Sequence, residues 1–458
     1  MPKTDAVRFQ LESGIQARIE VGDGTVLAVR GWVGQGDCGV LAIDCQVGDA
    51  RWEVAASNDL RTDVAREPGE AVSGFFVPVP LPADLAGSCA RVICTARLSD
   101  GTALTLVDTE VEFVARLREP EHLCARIAIC LTTYNPDPAL FERQVRSLIE
   151  QTERDWVCLV NDDTSEPAAW AHIQRTCARD DRFILRRNAQ RLGFYLNFEA
   201  CLRRVPPDVD YVALCDQDDA WHPDKLTSCA ARLVGDVELV YSDMRLVDRD
   251  GELITGTYWT QRRNNWRSFD TLLLANTVTG AATMLRRNLV DVVLPFPPNL
   301  GNGYHDHWLA CVAMCSGRID YIDRALYDYT QHDDNVIGHF DFPSPRPQAA
   351  VRTHASMLNE VLRHRGRLRD EMAVNLALYY REYRKLALYR TILLLRFPAL
   401  PHDRRRALDL FAGRWRDALR LVLPTHARIL RRGDSTNFIE FRLGLGLAAH
   451  KVLRLTRR

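Results

Sequence analysis

The chain has 458 residues, 47% hydrophobic and 26% charged, with a formal net charge of −1. That composition excludes a disordered chain, a small disulfide-held scaffold and a uniformly basic nucleic-acid binder, and the length accommodates roughly two or three domains. Its 13 cysteines are scattered without a CxxC pair and the opening MPKTDAVRFQ lacks an apolar signal core, so a reduced, cytoplasmic protein is expected.

Residues 1–118 read as short strands, VRFQLE, TVLAVRGWV, VLAIDCQV, RWEVAAS, GFFVPVPLP, ARVICTARL and ALTLVDTEVEFV, separated by Gly, Pro and Asp turns. This spacing predicts an antiparallel β-sandwich accessory domain. Its aromatics, Trp32, Trp52, Phe75 and Phe76, fit either a core or a sugar-stacking face. The polar RLREPEHLC, from Arg116 to Cys124, reads as a linker.

A different rhythm follows over residues 119–344. ARIAICLTTYNP is a buried-type strand, DPALFERQVRSLIEQT a helix and DWVCLVNDD a second strand, the pattern of a parallel βαβ unit. FILRRN, the helical NFEACLRRV and the strand YVALC continue it. The loops TTYNP, NDDTSE and DQDD then fall at C-terminal strand ends, where ligands bind in such sheets. Each has two readings. Thr132, Tyr134 and Asn135 could hold a nucleobase and ribose or be ordinary loop residues. Asp163 could contact a nucleotide or help to cap PAAWAHIQRTCA. Asp216, Asp218 and Asp219 crowd three carboxylates into four positions, which a hard cation with substrate phosphates would relieve and a capped turn would also use.

Downstream, NGYHDHWLACVAMC places Asp306 at the start of an apolar helix, as a general base for a hydroxyl or as a helix cap. Flanking His305 and His307 suggest zinc only weakly, because no third ligand follows at a suitable interval. His332, in ALYDYTQHDDNVIG, fits a metal or diphosphate ligand or a hydrogen-bonded loop histidine.

Residues 345–458 carry 25 Lys and Arg against 9 Asp and Glu, a charge of +16, which leaves −17 for the remainder. SMLNEVLRHRGRLRDEM, ALYYREYRKLALYRTILLLRF, RRRALDLFAGRWRDALRLVLP and FRLGLGLAAHKVLRLTRR are helical in composition. Basic helices of this kind lie on anionic lipid, form solvated faces, or pack against the catalytic domain or a second subunit; nucleic acid is not the expected partner. No apolar run reaches the roughly 20 residues of a membrane span. The nearest, LALYRTILLLRFPAL, is broken by Arg390, Arg396 and Pro398.

Taken in order, ICLTTYNP, VNDDTSE, RLGFYLNFE, CDQDDAWHPDKL, VTGAATM, GYHDHWLA and YTQHDDNVIG resemble the family 2 glycosyltransferases of GT-A fold, particularly bacterial rhamnosyltransferase-like members, over about half of the chain. The resemblance implies a nucleotide-diphospho-sugar donor held by Thr132, Tyr134, Asn135, Asp163, Asp216, Asp218 and Asp219. It also implies a divalent cation, Mg²⁺ or Mn²⁺, on Asp218 and His332, and Asp306 as catalytic base. The expected activity is an inverting transfer to a glycan or lipid-linked acceptor in surface-polysaccharide assembly, at the cytoplasmic face of the inner membrane. A catalytically inactive glycan-binding scaffold is the alternative. Cys215 before DQDD and the histidines flanking Asp306, where Glu-Asp is commoner, depart from the family pattern.

Overall fold

The computed structural model describes residues 8–34, 40–55, 59–60, 64, 72–260, 263–301, 303–332, 372 and 374–456. Strands β1 (Arg8–Leu11), β2 (Arg18–Val21), β3 (Thr25–Gly34), β4 (Val40–Val47), β5 (Ala50–Ala55), β6 (Asp59–Leu60), β7 (Val72–Leu81), β8 (Ser88–Leu98) and β9 (Ala103–Ala115) form two sheets, ordered β1-β3-β7-β6 and β2-β9-β8-β4-β5. Side chains alternate between faces along each strand, so Val29, Val33, Phe75 and Val77 of the first sheet meet Ile43, Val92, Cys94 and Phe113 of the second in one buried cluster. The pairing is antiparallel as expected except at one edge, where β2 runs parallel to β9. The reason is topological: β1 and β2 belong to different sheets, and the chain crosses between them to reach the margin beside β9. Trp32, Phe75 and Phe76 are buried, and Trp52 packs on the cluster, which favours the core reading of these aromatics.

The linker after β9 is extended but pinned. Backbone N–H groups of Glu119 and Glu121 donate to the carbonyls of Arg203 and Arg204, and Arg116 donates to the carbonyl of Asp291. Beyond it lie β10 (Ile127–Thr133), β11 (Trp156–Asp162), β12 (Phe183–Arg187), β13 (Tyr211–Cys215), β14 (Ala220–Trp221), β15 (Val237–Val247), β16 (Leu253–Thr255), β17 (Thr283–Arg286) and β18 (Arg318–Thr330). They form one mixed sheet ordered β12-β11-β10-β13-β17-β15-β18-β14, with β16 paired to β15. The first four in that order are parallel, as the βαβ pattern predicts. Helix α1 (Pro138–Ile149) starts where expected: Asp137 accepts from the N–H groups of Ala139 and Leu140, with Pro138 in the first turn. Helices α2 (Pro167–Cys177), α3 (Gly193–Arg203), α4 (Lys225–Ala230), α5 (Phe269–Leu274), α6 (Arg287–Val293) and α7 (His305–Ser316) complete this region.

The helix running from residue 374 to Arg396, with a π-helical stretch at Tyr379–Tyr383, turns inward. Leu388, Tyr389, Ile392 and Leu393 join the same core as the central sheet, together with Val26, Ala28 and Phe76 from the first N-terminal sheet. Arg396 donates to the carbonyls of Val292, Val293 and Pro295 at the end of α6, which answers the unsatisfied acceptors of a helix C-terminus. Of the roles open to this basic segment, packing against the central domain is the one this helix takes. Helices His402–Leu408, Trp415–Arg420, His426–Arg432 and Ile439–Thr456 follow. SMLNEVLRHRGRLRDEM lies outside the described residues except Met372. Among the described residues no helix is long and apolar enough to cross a membrane.

Candidate active site

Strands β11, β10 and β13 are parallel neighbours, so their C-terminal loops emerge side by side at one edge of the sheet. Polar side chains tie these loops together. Thr133 donates to Asp162 at 3.0 Å, the Asn135 N–H to Ser165 Oγ at 2.8 Å, and the Glu166 N–H to Asn135 Oδ1 at 2.7 Å. Gln217, the middle residue of the acidic run, accepts from the Tyr134 N–H at 2.8 Å and joins the third loop to the first. Asn135 and Thr164 sit at φ +41° and +64°. This left-handed region is unfavourable for a Cβ-bearing residue, and the cross-links keep both loops in it.

The joined loops and α7 enclose a cavity of about 920 Å³. Thr132, Tyr134, Asn135, Asp163, Asp216, Asp218, Asp306 and His332 all line it, although they span 200 positions of sequence from Thr132 to His332. Asp219 does not. It is fully buried beneath the cavity, with Oδ1 accepting from the Thr330 N–H at 3.2 Å. Burial, and then the charges of Asp218 and Asp216, raise its carboxyl well above the usual range.

Asp163 does not cap α2, whose first turn lacks a side-chain cap. Its carboxylate accepts instead from Asn188 Nδ2 at 2.9 Å and from the N–H groups of Leu192 and Gly193, both at 2.7 Å. It thereby anchors the N-terminus of α3 to the cavity wall, and three acceptances leave about one of its four lone-pair positions for a ligand. Asp216 is raised to about 7, by burial first and then by the charges of Asp218 and Asp306. These three carboxylates are therefore close enough to sense one another.

Asp218 Oδ2 lies 3.0 Å from His332 Nε2. Among the described residues no group of three or more His, Cys, Asp or Glu side chains forms a complete metal cage. One carboxylate with one imidazole is a half-site: Asp218 is the oxygen donor that Mg²⁺ or Mn²⁺ takes when phosphate oxygens supply the remaining positions, while the His332 imidazole is a softer donor that fits Mn²⁺ better than Mg²⁺.

Asp306 stands in the first turn of α7 and lines the cavity, with Oδ1 accepting from the adjacent His307 N–H; the N-cap position is Tyr304 and no side chain caps the helix, so Asp306 is not its cap. Its neighbours His305 and His307 also line the cavity but are buried in its wall. His305 stacks on Phe198 with ring centroids 3.9 Å apart, and a Cβ at Gly280 would collide with its Nε2. His307 lies edge-on to Tyr389 at 5.6 Å. Burial lowers both imidazoles to about 3, so both are neutral, and they do not converge on a zinc site.

Sequence reasoning missed four contributors. Gln217 was hidden between the aspartates that framed it. Arg191, whose guanidinium lies 4.0 Å above the Tyr134 ring, falls within the quoted RLGFYLNFE but carries no signal of its own. Lys225, in HPDKL, is buried beside Trp221 and Tyr327, donates to the Ala281 carbonyl and has its pKa lowered to about 8, chiefly by burial. Lys385 reaches the cavity from the C-terminal helix, paired with Glu382 at 2.8 Å, and no local pattern could have announced it.

Residues 128–294 match the model of glycosyl transferase family 2. This part of the chain is a family 2 glycosyltransferase domain. The match contains Thr132 through Asp219 and ends before Asp306 and His332. An uncharacterized protein of Sinorhizobium fredii is 27% identical over 122 residues, 26% of this chain and 13% of its own length. The succinoglycan biosynthesis protein ExoW of Rhizobium meliloti is 32% identical over 105 residues, 22% of this chain and 32% of its own. An uncharacterized glycosyltransferase of Methanocaldococcus jannaschii is 20% identical over 236 residues, 50% of this chain and 79% of its own. The chain thus spans a third or less of the two rhizobial relatives. Among solved structures, S. aureus TarS in complex with UDP-GlcNAc aligns over 72% of this chain and 92% of its own at 14% identity and TM-score 0.40. The Pyrobaculum calidifontis mannosyltransferase PcManGT, in complex with GDP-Man and Mn²⁺, aligns over 74% and 89% at 15% identity and TM-score 0.37.

Proposed function

We propose that the chain is an inverting, divalent-cation-dependent glycosyltransferase that moves a sugar from a nucleotide-diphospho-sugar to a hydroxyl of a glycan or lipid-linked acceptor in surface-polysaccharide assembly. The observation that carries this reading is the meeting of Asp216, Asp218, His332 and Asp306 around one cavity at the strand ends of a family 2 domain. The division into residues 1–118, 119–344 and 345–458 belongs to the same proposal, with the central region as the catalytic unit. So does a place at the cytoplasmic face of the inner membrane.

In this mechanism Thr132, Tyr134 and Asp163 receive the nucleoside, and Asp216 and Asp218 orient the sugar-diphosphate. Asp218 and His332 would hold Mg²⁺ or Mn²⁺, which when bound neutralises charge growing on the departing diphosphate. Asp306 takes the acceptor hydroxyl proton as that oxygen bonds to the anomeric carbon, and the carbon–phosphate-oxygen bond breaks with its electron pair leaving on the nucleoside diphosphate. One displacement inverts the anomeric configuration; a double displacement needs a carboxylate nucleophile for which no side chain is assigned.

The test is a donor panel, beginning with dTDP-rhamnose and extending to UDP- and GDP-sugars, on the wild type and Asp306→Asn. The variant should bind donor normally and lose transfer by about 10²–10⁴-fold. Full transfer by Asp306→Asn would remove it as the base, and NMR of a retained anomeric product would end the inverting mechanism. Absence of both turnover and cation-dependent nucleotide binding would favour the glycan-binding scaffold.

A further inference from the structure

The C-terminal arginines divide into two populations. Arg396 serves the end of α6, and Arg428 and Arg432 pair with Asp270 at 2.8 and 3.0 Å. Arg405, Arg406, Arg416 and Arg431 are exposed and have no ion-pair partner among the described residues. Arg405 and Arg406, with His402, Arg420 and Asp409, line a basin of about 440 Å³. Asp409 already faces Arg390 at 3.4 Å and Arg420 faces Asp417 at 3.8 Å, so Arg405 and Arg406 carry the basin's positive excess.

Beside the basin, residues 415–432 form a rod of two short helices joined by a π-helical stretch at Leu421–Thr425. Ala418, Leu421, Thr425 and Ile429 are its buried face. On the other face Trp415, Leu419 and Leu423, spaced four apart, are 46%, 63% and 62% exposed. Arg420 sits between the two leucines along the rod and also on the basin wall, which joins the apolar stripe to the cationic pocket.

We propose that this stripe and basin together form a docking surface for an anionic phospholipid bilayer. Trp415, Leu419 and Leu423 enter the headgroup–acyl boundary while the Arg405, Arg406, Arg416 and Arg420 guanidiniums take headgroup phosphates. A bilayer offers an apolar layer directly beneath a phosphate layer, the ligand chemistry that satisfies both halves of the surface. A nucleic acid would leave the leucines in water, and the stripe is a convex edge rather than the groove a partner helix would need. The charge of +16 on residues 345–458, against −17 elsewhere, orients this end toward an anionic plane. Docking deepens the proposed use of a lipid-linked acceptor and rests on that reading for its purpose, though the surface itself is independent of catalysis.

The experiment is co-sedimentation of the full chain with phosphatidylglycerol–phosphatidylcholine vesicles and with pure phosphatidylcholine vesicles, at two salt concentrations, alongside nucleotide-sugar titration of the same preparations. Binding to the anionic vesicles alone, weakened by salt, is expected. Arg405→Gln with Arg406→Gln should weaken it by more than about tenfold, since each basic residue near a membrane surface contributes roughly fivefold. Arg405→Lys with Arg406→Lys should retain it, and Leu419→Ser with Leu423→Ser should lose it. Equal binding by wild type and both loss variants, or no vesicle binding by wild type, overturns the proposal. Vesicle binding without nucleotide-sugar binding would instead sink the enzyme reading and leave the docking surface standing.

Discussion

The acidic run Asp216–Asp219 and the start of α7, His305–His307, meet across the same cavity but place their side chains differently. In the first, Asp216 and Asp218 line the cavity while Asp219 goes beneath it; in the second, His305, Asp306 and His307 all line it, the two histidines as buried members of its wall. The most buried members are driven toward their neutral forms, because burial raises the Asp219 carboxyl and lowers both imidazoles. Burial rather than facing the cavity therefore decides which of these residues is driven toward neutrality, since Asp216 lines the cavity and is raised to about 7 as well. The two runs differ in support: a second loop braces the first through Gln217, whereas His305 is accommodated only because Gly280 leaves room for it.

The sharpest way to break this comparison is to treat Asp218 and Asp219 alike. Asp218→Asn should reduce cation-dependent transfer on the order of 10²-fold, as loss of one charge-stabilising group does. Asp219→Asn, which keeps an acceptor for the Thr330 N–H, should leave donor affinity within a few-fold of wild type. Equal loss in titrations of the two variants would show that Asp219 also serves the ligand. A moderate effect is expected opposite α7: Gly280→Ala should lower stability by about 1–3 kcal/mol, because the new methyl displaces His305 from Phe198. Urea denaturation would measure it, and an unchanged midpoint would mean that His305 can move freely.

The smallest effect concerns the anchor just beyond the acidic run. β14 pairs with β18 at Asp328, whose carboxylate meets His222 at 2.9 Å and Arg245 at 2.6 Å. Burial raises that carboxyl, but the bonds and charges of His222 and Arg245 outweigh it and hold the pKa at about 2. A carboxylate depressed in the folded state stabilises above its unfolded pKa, near 3.8, and that contribution is lost as pH falls from about 4 toward 2. Asp328→Asn should therefore cost about 1–2 kcal/mol at pH 7, with the gap from wild type narrowing below pH 4. A gap that stays constant across that range would assign the cost to lost hydrogen bonding alone.

Much of this fold was legible because its signals are local. The strand–helix–strand rhythm from Ile127 onward, the Asp137 cap and the loops at the strand ends depend on residues within a few positions of one another. Asp163 was legible as a cavity residue but not as the anchor of α3, because its partners Leu192 and Gly193 come from a loop about thirty positions away. Lys385 and the parallel pairing of β2 were illegible for the same reason, being set by which distant segments meet. The basic C-terminal helices were read as one class, yet Arg396 and Arg405 have opposite surroundings. Composition reports how much charge a segment carries, whereas the tertiary neighbours decide which way each guanidinium turns.

The helix ending at Arg396 has a consequence for the order in which the molecule can be completed during synthesis. Its Tyr389 packs on Trp308 at 5.1 Å and on His307, and its core is shared with Val26, Ala28 and Phe76 near the beginning of the chain. A nascent chain that has emerged only to residue 344 would leave Trp308, His307 and Phe76 without this cover, however well its sheets had paired. The wall that backs Asp306 is thus closed by a segment that follows the central domain, and the candidate cleft acquires its final shape only once the chain through Arg396 has left the ribosome.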